Sequence, residues 1–416
     1  MASGDHKAGR RGSGGRNADR HGSTGRVLEA LRTGGPCSQA GLARQTGLSP
    51  ATINNVVRQL RADGIADVQP VNGRESLVAL VSGRGIVVAV HIGVSAMRAV
   101  LFDFGAGRRM DTAMEFADVG CGEGGTPEVV AAVVRDLAAR ASLSADRLAG
   151  VAIAMPAPIA RSTGAITSWA RIHLPAWRDV AIATVLSERL GTVVVAENDA
   201  NLAALAEWTW GAGRGSSDFL YVMCSAGVGG GLILNGEIYR GGDGLAGEMG
   251  HMVLEESGPY CFCGSRGCLT TFTSQHAILT ALGASLGTTK GSLREVIDSA
   301  RAGDPTCRRV LYEAGSYLGR AFANAAKVMA PSVMAVGGDL GAAGDLVFDG
   351  LNSSVEIGSL RAASPSIRIQ PAQTGADAAV LGGVAAVMDH IGQGLSTVPE
   401  WMGMAAEAAS AAVVEG

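Results

Sequence analysis

Hydrophobic residues recur at helical spacing along the first part of the chain, broken at turn residues. Val27, Leu28 and Leu31 form one face of a short amphipathic helix, and Gly34-Gly35-Pro36 ends it. Leu42 and Ala43 mark a second helix that Gly47 stops. Ser49 is then a good N-cap, Pro50 suits the first helical position, and Ile53, Val56, Val57 and Leu60 fall at i, i+3, i+4 and i+7. That face is core, which leaves Thr52, Asn54, Asn55 and Arg58 on the opposite one. After Gly64 the period changes: Val68 to Leu80 reads as two strands around Asn72-Gly73, a hairpin signal, with Arg74 at the tip.

Beyond residue 84, apolar strands alternate with helical patterns, the mark of an α/β chain. Val87 to Gly93 and Met97 to Phe104 predict adjacent strands, Val129 to Ala141 a helix, and Gly150 to Ala154 a buried strand before Pro156-Ala157-Pro158. Thr192 to Ala196 is a strand ending in Glu197-Asn198-Asp199-Ala200-Asn201, which opens a helix to about Trp210. Phe219 to Cys224 is the next strand, and Ala226 to Gly231 is expected to form a glycine-rich turn. Helices over Leu293 to Ala302 and Pro305 to Ala330 follow, then a strand from Val333 to Val336 into Gly337-Gly338. Ile367 to Ile369 and a helix from Ala376 to about His390 complete the pattern.

With 416 residues, 47% hydrophobic and 17% charged, the chain has the bulk for two or three domains. No apolar run approaches the length of about 20 residues that spans a bilayer, and no hydrophobic segment follows the basic N-terminus. These features predict a cytoplasmic protein with no membrane partner, whose thiols stay reduced. Residues 1–81 hold eleven Lys and Arg against six Asp and Glu, while the rest of the chain is acidic. Nucleic acid is therefore expected to meet the front alone.

Helix, helix-turn-helix and hairpin in that order predict a winged helix-turn-helix domain over residues 24–81. Short or forked polar side chains near the start of a helix after a tight turn are what a recognition helix presents to base edges in the major groove. Ser49, Thr52, Asn54, Asn55 and Arg58, with Arg74 on the wing, are the candidate contacts to double-stranded operator DNA. Residues 1–23 have almost nothing to bury and are expected to be a disordered basic arm, either adding phosphate attraction or inert.

The strongest chemistry lies between Gly247 and Cys268. His251, Cys261, Cys263 and Cys268 fall within eighteen positions of a glycine-rich segment. Any one of them alone would read as a reduced thiol or a satisfied histidine. Together, His and Cys-x-Cys-x4-Cys predict a closed tetrahedral zinc site, one per chain. Four protein ligands leave no position for water, so the metal is expected to be structural, fixing the loop that carries Glu248.

Glu248-x-x-His251 followed by Cys-x-Cys-Gly-x-x-Gly-Cys-Leu resembles the signature of the ROK family (repressors, open reading frames and kinases), and the likeness extends from about residue 24 to 392. It implies an actin-like ATPase (ribonuclease H-like) body of two lobes over 82–395, ahead of a flexible tail at 396–416. It also implies that Asn198, Asp199, Glu248 and His251 bind a sugar, His251 serving the metal as well. In ROK kinases the aspartate is the general base for phosphoryl transfer, so Asp199 would be catalytic only if the chain is a kinase. Leu174-Pro175-Ala176-Trp177 resembles the family's Leu-Pro-Gly-Trp, with Trp177 open to packing or ligand stacking.

Several positions depart from the family's pattern. His91 stands where a magnesium-binding aspartate is usual, Val94 in the Gly-Gly-Thr turn, and Ala226 in place of a phosphate-facing threonine; an imidazole is a poor substitute for a carboxylate on a hard cation. ATP with magnesium is therefore not expected. On the sugar side Ala157, His173 and Thr270 replace a glycine, an asparagine and a glutamate. The winged domain resembles that of ROK repressors and is lacking in simple ROK kinases. This favours the repressor branch, similar to xylose- or N-acetylglucosamine-responsive regulators: a homodimer or dimer of dimers answering to a sugar or sugar phosphate. The other readings are an ATP-dependent sugar kinase with a fused DNA-binding domain, and a partner-controlled regulator that binds no sugar.

Overall fold

The computed structural model describes Ser23 and residues 26–391, apart from 28–29, 32–34, 63–65, 73–74, 81–84, 94–95, 105–106, 117–124, 168–169, 287–290 and 359–366. The basic arm up to residue 22, Arg74, Val94 and Ser95, and the tail from 396 lie outside the described residues; Ser23, assigned above to the arm, is helical. The chain divides into two compact units, a head that reaches Arg84 and a body from Gly85 to His390. Among the described residues no helix is long and apolar enough to cross a membrane.

In the head, helical residues that include Val27 and Leu31 precede α1 (Gln39–Thr46) and α2 (Pro50–Ala62). The turn between α1 and α2 follows from its residues. Gly47 adopts the left-handed region that ends α1, and the Thr52 N–H donates to Ser49 Oγ at 3.1 Å to start α2. β1 (Ala66–Asn72) and β2 (Glu75–Leu80) pair antiparallel with Asn72 opposite Glu75, so the two connecting residues are Gly73 and Arg74, one place later than the Asn72-Gly73 signal suggested. The register slips between Pro70 and Asn72, which accounts for that shift. Val27, Leu31, Leu42, Ile53, Val56, Val57, Leu60 and Val78 form one core.

The body repeats one plan twice. The first lobe contains β3 (Ile86–Ile92), β4 (Ala96–Asp103), β5 (Arg108–Glu115), β6 (Gly150–Met155) and β7 (Val194–Asn198), ordered β5-β4-β3-β6-β7. The second contains β8 (Phe219–Cys224), β9 (Val228–Leu234), β10 (Glu237–Ile238), β11 (Val333–Gly337) and β12 (Arg368–Pro371), ordered β10-β9-β8-β11-β12. In each lobe the first three strands meander antiparallel and the last two run parallel to the first. Helices α3 (Pro127–Arg140) and α4 (Ile182–Leu190) close the first core with Val134, Leu137 and Leu186.

Helix α5 (Asp199–Trp210) leaves β7 and packs Ala203 and Ala204 against Phe219, Tyr221 and Ile233 of the second sheet. The second lobe is completed by α6 (Thr270–Thr273), α7 (Gln275–Leu286), α8 (Leu293–Arg301), α9 (Pro305–Met329), α10 (Gly338–Ala342) and α11 (Asp345–Gly358). Finally α12 (Ala378–His390) crosses back, setting Gly383 against Ala152 and Ala89 of the first sheet. α5 and α12 touch backbone to backbone: a Cβ on Gly382 would stand 1.7 Å from the Leu202 carbonyl oxygen. Two buried carboxylates pin this crossing. Glu207 accepts from the N–H groups of Ala212, Gln373 and Thr374 and from the Thr374 hydroxyl. Asp377 accepts from Arg98 and Arg109, both of which also bind Asp111.

The expected glycine-rich turn is mostly strand: Gly229, Gly230 and Gly231 lie in β9, and the turn is confined to Ser225–Gly227. The glycines are there because side chains would not fit. A Cβ on Gly231 would come within 2.5 Å of the Ala200 oxygen, and one on Gly230 equally close to the Gly247 oxygen. β5 was not anticipated because Met110 and Met114, which pack on the first core, are its main apolar residues and stand among Arg108, Arg109, Asp111, Thr112 and Glu115 on an edge strand.

Candidate functional site

Three parallel strands end at one place. His91 of β3 lies opposite Ala154 of β6, and Ala154 opposite Glu197 of β7, so their carboxyl ends deliver His91, Asn198 and Asp199 to the same edge. Such an edge is where open α/β sheets hold ligands. Asn198 caps α5, its Oδ1 accepting from the Asn201 N–H at 3.1 Å. Asn198 therefore serves as a helix cap, and its side-chain NH2 remains a donor. Asp199 Oδ1 accepts from the Ala200 N–H at 2.8 Å, and its Oδ2 lies 3.3 Å from His91 Nε2.

Glu197 and its partners were not singled out from sequence. Glu197 accepts from the Asn198 N–H, the Asn201 side-chain amide and Arg240 Nε. Arg240 follows β10, so it ties the second lobe to the end of β7, a long-range pairing with no local signature. Trp177 is fully buried in the first lobe's core, so it packs rather than stacks on a ligand. His173 is exposed and meets Phe262 of the cysteine loop edge-on at 5.0 Å, and Phe262 meets His251 in the same way.

The second half of the site is the loop from Gly247 to Cys268. His251, Cys261, Cys263 and Cys268 bring one ligand atom each to within 4.8 Å of one another. His251 Nδ1 is 3.5 Å from Cys261 Sγ, and Cys263 Sγ is 3.7 Å from Cys268 Sγ. Ligands about 2.3 Å from a tetrahedral centre stand roughly 3.8 Å apart, a spacing to which the 3.5 Å and 3.7 Å separations are close. Burial, then the neighbouring thiols, pushes Cys268 up to about 12, whereas at Cys263 hydrogen bonds led by the Ser265 N–H outweigh burial and lower it. Burial lowers His251, favouring the neutral imidazole that a metal takes.

Glu248 precedes His251 by three residues, with Oε2 3.8 Å from His251 Nε2. Burial, and after it the nearby Asp199 carboxylate, pushes Glu248 up to about 7. Carboxyl groups from two elements and an imidazole thus face one space. Thr270 is buried at the start of α6, and Ala157 is buried after β6.

In the head, α2 exposes Asn54, Asn55 and Arg58 and half-buries Thr52. Arg58 donates to Asn55 Oδ1 at 2.8 Å and Ser49 Oγ lies 2.8 Å from Thr52 Oγ1, so these polar groups are held together on one face.

The duplicated sheet with crossed helices is the actin-like ATPase fold, and the head is a winged helix-turn-helix. The chain belongs to the ROK family, whose profile matches residues 87–390; a MarR family profile matches residues 20–75. A xylose repressor of Bacillus spizizenii is 26% identical over 373 residues, covering 88% of this chain and 94% of that protein. A glucokinase of Halalkalibacterium halodurans is 33% identical over 250 residues, 57% of this chain and 75% of that protein. The crystal structure of a ROK family transcriptional regulator, a homolog of the E. coli MLC protein, superposes with a TM-score of 0.72 at 21% identity over 89% of this chain and 96% of that one.

Proposed function

We propose that the protein is a sugar-responsive transcription repressor of carbohydrate genes, with a DNA-binding head at 24–81 and a sugar-binding body at 82–395. The observation that carries this reading is the union of a MarR-like head, and a match to a xylose repressor over 88% of the chain, with a ROK body; His91, standing by resemblance where the family's magnesium carboxylate is usual, agrees with it. Zinc held by His251, Cys261, Cys263 and Cys268 would neutralise the thiolates and tie the loop bearing Glu248. Asn198, Asp199, Glu248 and His251 would then take hydrogen bonds with sugar hydroxyls. ATP and magnesium have no part in this reading, and Ala226 supports that by removing a hydroxyl from the phosphate side.

A homodimer would set two α2 helices about one turn of DNA apart, roughly 34–36 Å, on a pseudo-palindrome. Sugar changes operator affinity only through contacts that differ between two arrangements of the lobes. The test is a gel-shift assay on the DNA upstream of the protein's own coding region, run against a panel of sugars with and without ATP. A sugar-dependent, ATP-independent shift is expected, and Asn54→Ala with Arg58→Ala should weaken specific binding by about 2–6 kcal/mol in all. Retained specific binding in that double variant would discredit the helix assignment.

The kinase reading keeps one observation in its favour, the retained Asp199 beside Glu248. Phosphorylation of a hexose by ATP, abolished in Asp199→Ala, would establish it instead.

A further inference from the structure

Helix α9 grips the cysteine loop from outside, at both of its flanks. Tyr317 and Arg320 stand three residues apart on α9 and so share a face. The Arg320 guanidinium donates to the Leu254 carbonyl at 2.8 Å and to Glu255 Oε1 at 3.2 Å, and the Tyr317 hydroxyl donates to the same carboxylate oxygen at 3.1 Å. Leu254 and Glu255 lie before the cysteines. After them, Phe272 of α6 stacks on the Tyr317 ring with centroids 4.0 Å apart and planes 9° from parallel, and the Arg320 guanidinium lies 5.1 Å from that ring's centroid. The segment that α9 holds is the one on which Cys268 is laid: the Leu254 N–H donates to the Gly267 carbonyl at 2.8 Å, the Leu269 N–H to the Met252 carbonyl at 2.9 Å, and Val253 pairs with Cys268 between them. His251 begins that same segment.

Global stability gains little from this grip. The Arg320 and Glu255 side chains are 43% and 38% exposed, and an ion pair so open to water contributes little to folding. Its geometry does more, because two donors of one planar guanidinium fix a backbone carbonyl and a carboxylate together. A loop whose flanks are already fixed loses less conformational freedom when four side chains close on an ion. We propose that Arg320, with Tyr317, is a positioning residue for the metal: it holds the His251 and Cys268 ends of the loop in binding geometry and so sets the loop's affinity for zinc without touching the ion. The proposal rests on the zinc reading of the loop.

Competition for zinc against a chromophoric chelator, run on the full chain beside a thermal melt, tests it. In Arg320→Ala zinc is expected to bind about tenfold more weakly, while the melting temperature of the zinc-saturated protein stays near that of wild type. Arg320→Lys, which keeps the charge and loses the fork, recovers part of the affinity. Tyr317→Phe, which keeps the stack and loses the hydroxyl, weakens zinc by about threefold, and it decides the matter should Arg320→Ala not fold. Arg309→Ala removes another α9 pairing, that with Glu313, and leaves zinc affinity unchanged. Wild-type zinc affinity in a folded Arg320→Ala, or in Tyr317→Phe if that variant alone folds, overturns the proposal, as does an equal loss in Arg309→Ala. Wild-type protein that takes up no zinc overturns the metal reading itself.

Discussion

Gly267 lies in the left-handed region at φ 64°, and a Cβ there would stand 1.6 Å from the Glu255 carbonyl oxygen. Gly267→Ala must therefore push the loop away from its neighbour one residue before Cys268, a proposed zinc ligand. The expected outcome is well under one zinc per chain by elemental analysis, with about 1–3 kcal/mol of lost stability in denaturant melts. Full zinc occupancy at wild-type stability would show that the loop tolerates the shift. At this scale the clustering of His251, Cys261, Cys263 and Cys268 was legible because their spacing is local: a loop of glycines brings residues ten or five apart together whatever the rest of the fold does. The place of Asn198 and Asp199 was legible because a strand end followed by a helix start is a short-range pattern. The contacts of His91 with Asp199 and of Arg240 with Glu197 were not, since they depend on which strands become neighbours and which lobe folds over which.

Among the elements, the β4–β5 hairpin and the turn before α12 are joined by two arginines and two aspartates. Arg109 and Asp377 are almost fully enclosed, so Arg109→Ala would leave Asp377 with Arg98 alone and is expected to destabilise the body by about 3–5 kcal/mol. Burial works to raise Asp111, but hydrogen bonds from Arg109 and Arg98 outweigh it and lower its pKa. A lowered folded-state value means that the stabilisation is fully present above the unfolded value of 3.8 and is lost as pH falls through the folded one. Melts from about pH 6 to about pH 3 should show a loss that is smaller in Asp111→Asn; equal acid sensitivity would remove the cluster from the account. Helix α2 was readable from periodicity alone because its buried face repeats at 3.6 residues. β5 was not, because the polar side chains that make the ion cluster hide its strand period. The glycines of β9 looked like a turn for a related reason: sequence shows a missing side chain without showing the backbone that takes its space.

For the molecule as a whole, each lobe encloses its own hydrophobic core, and the core of the first contains none of His251, Cys261, Cys263 and Cys268. Chelation at neutral pH is therefore expected to abolish sugar binding in calorimetry while far-ultraviolet circular dichroism changes little. Wholesale loss of helix signal would mean that the metal holds the body itself together. The helix that begins at Asp199 also forms half of the crossing at which Gly382 meets Leu202. A ligand held by Asp199 would thus pull directly on the helix that both halves of the body share, and no relay of intermediate side chains would be needed to carry its arrival to the joint.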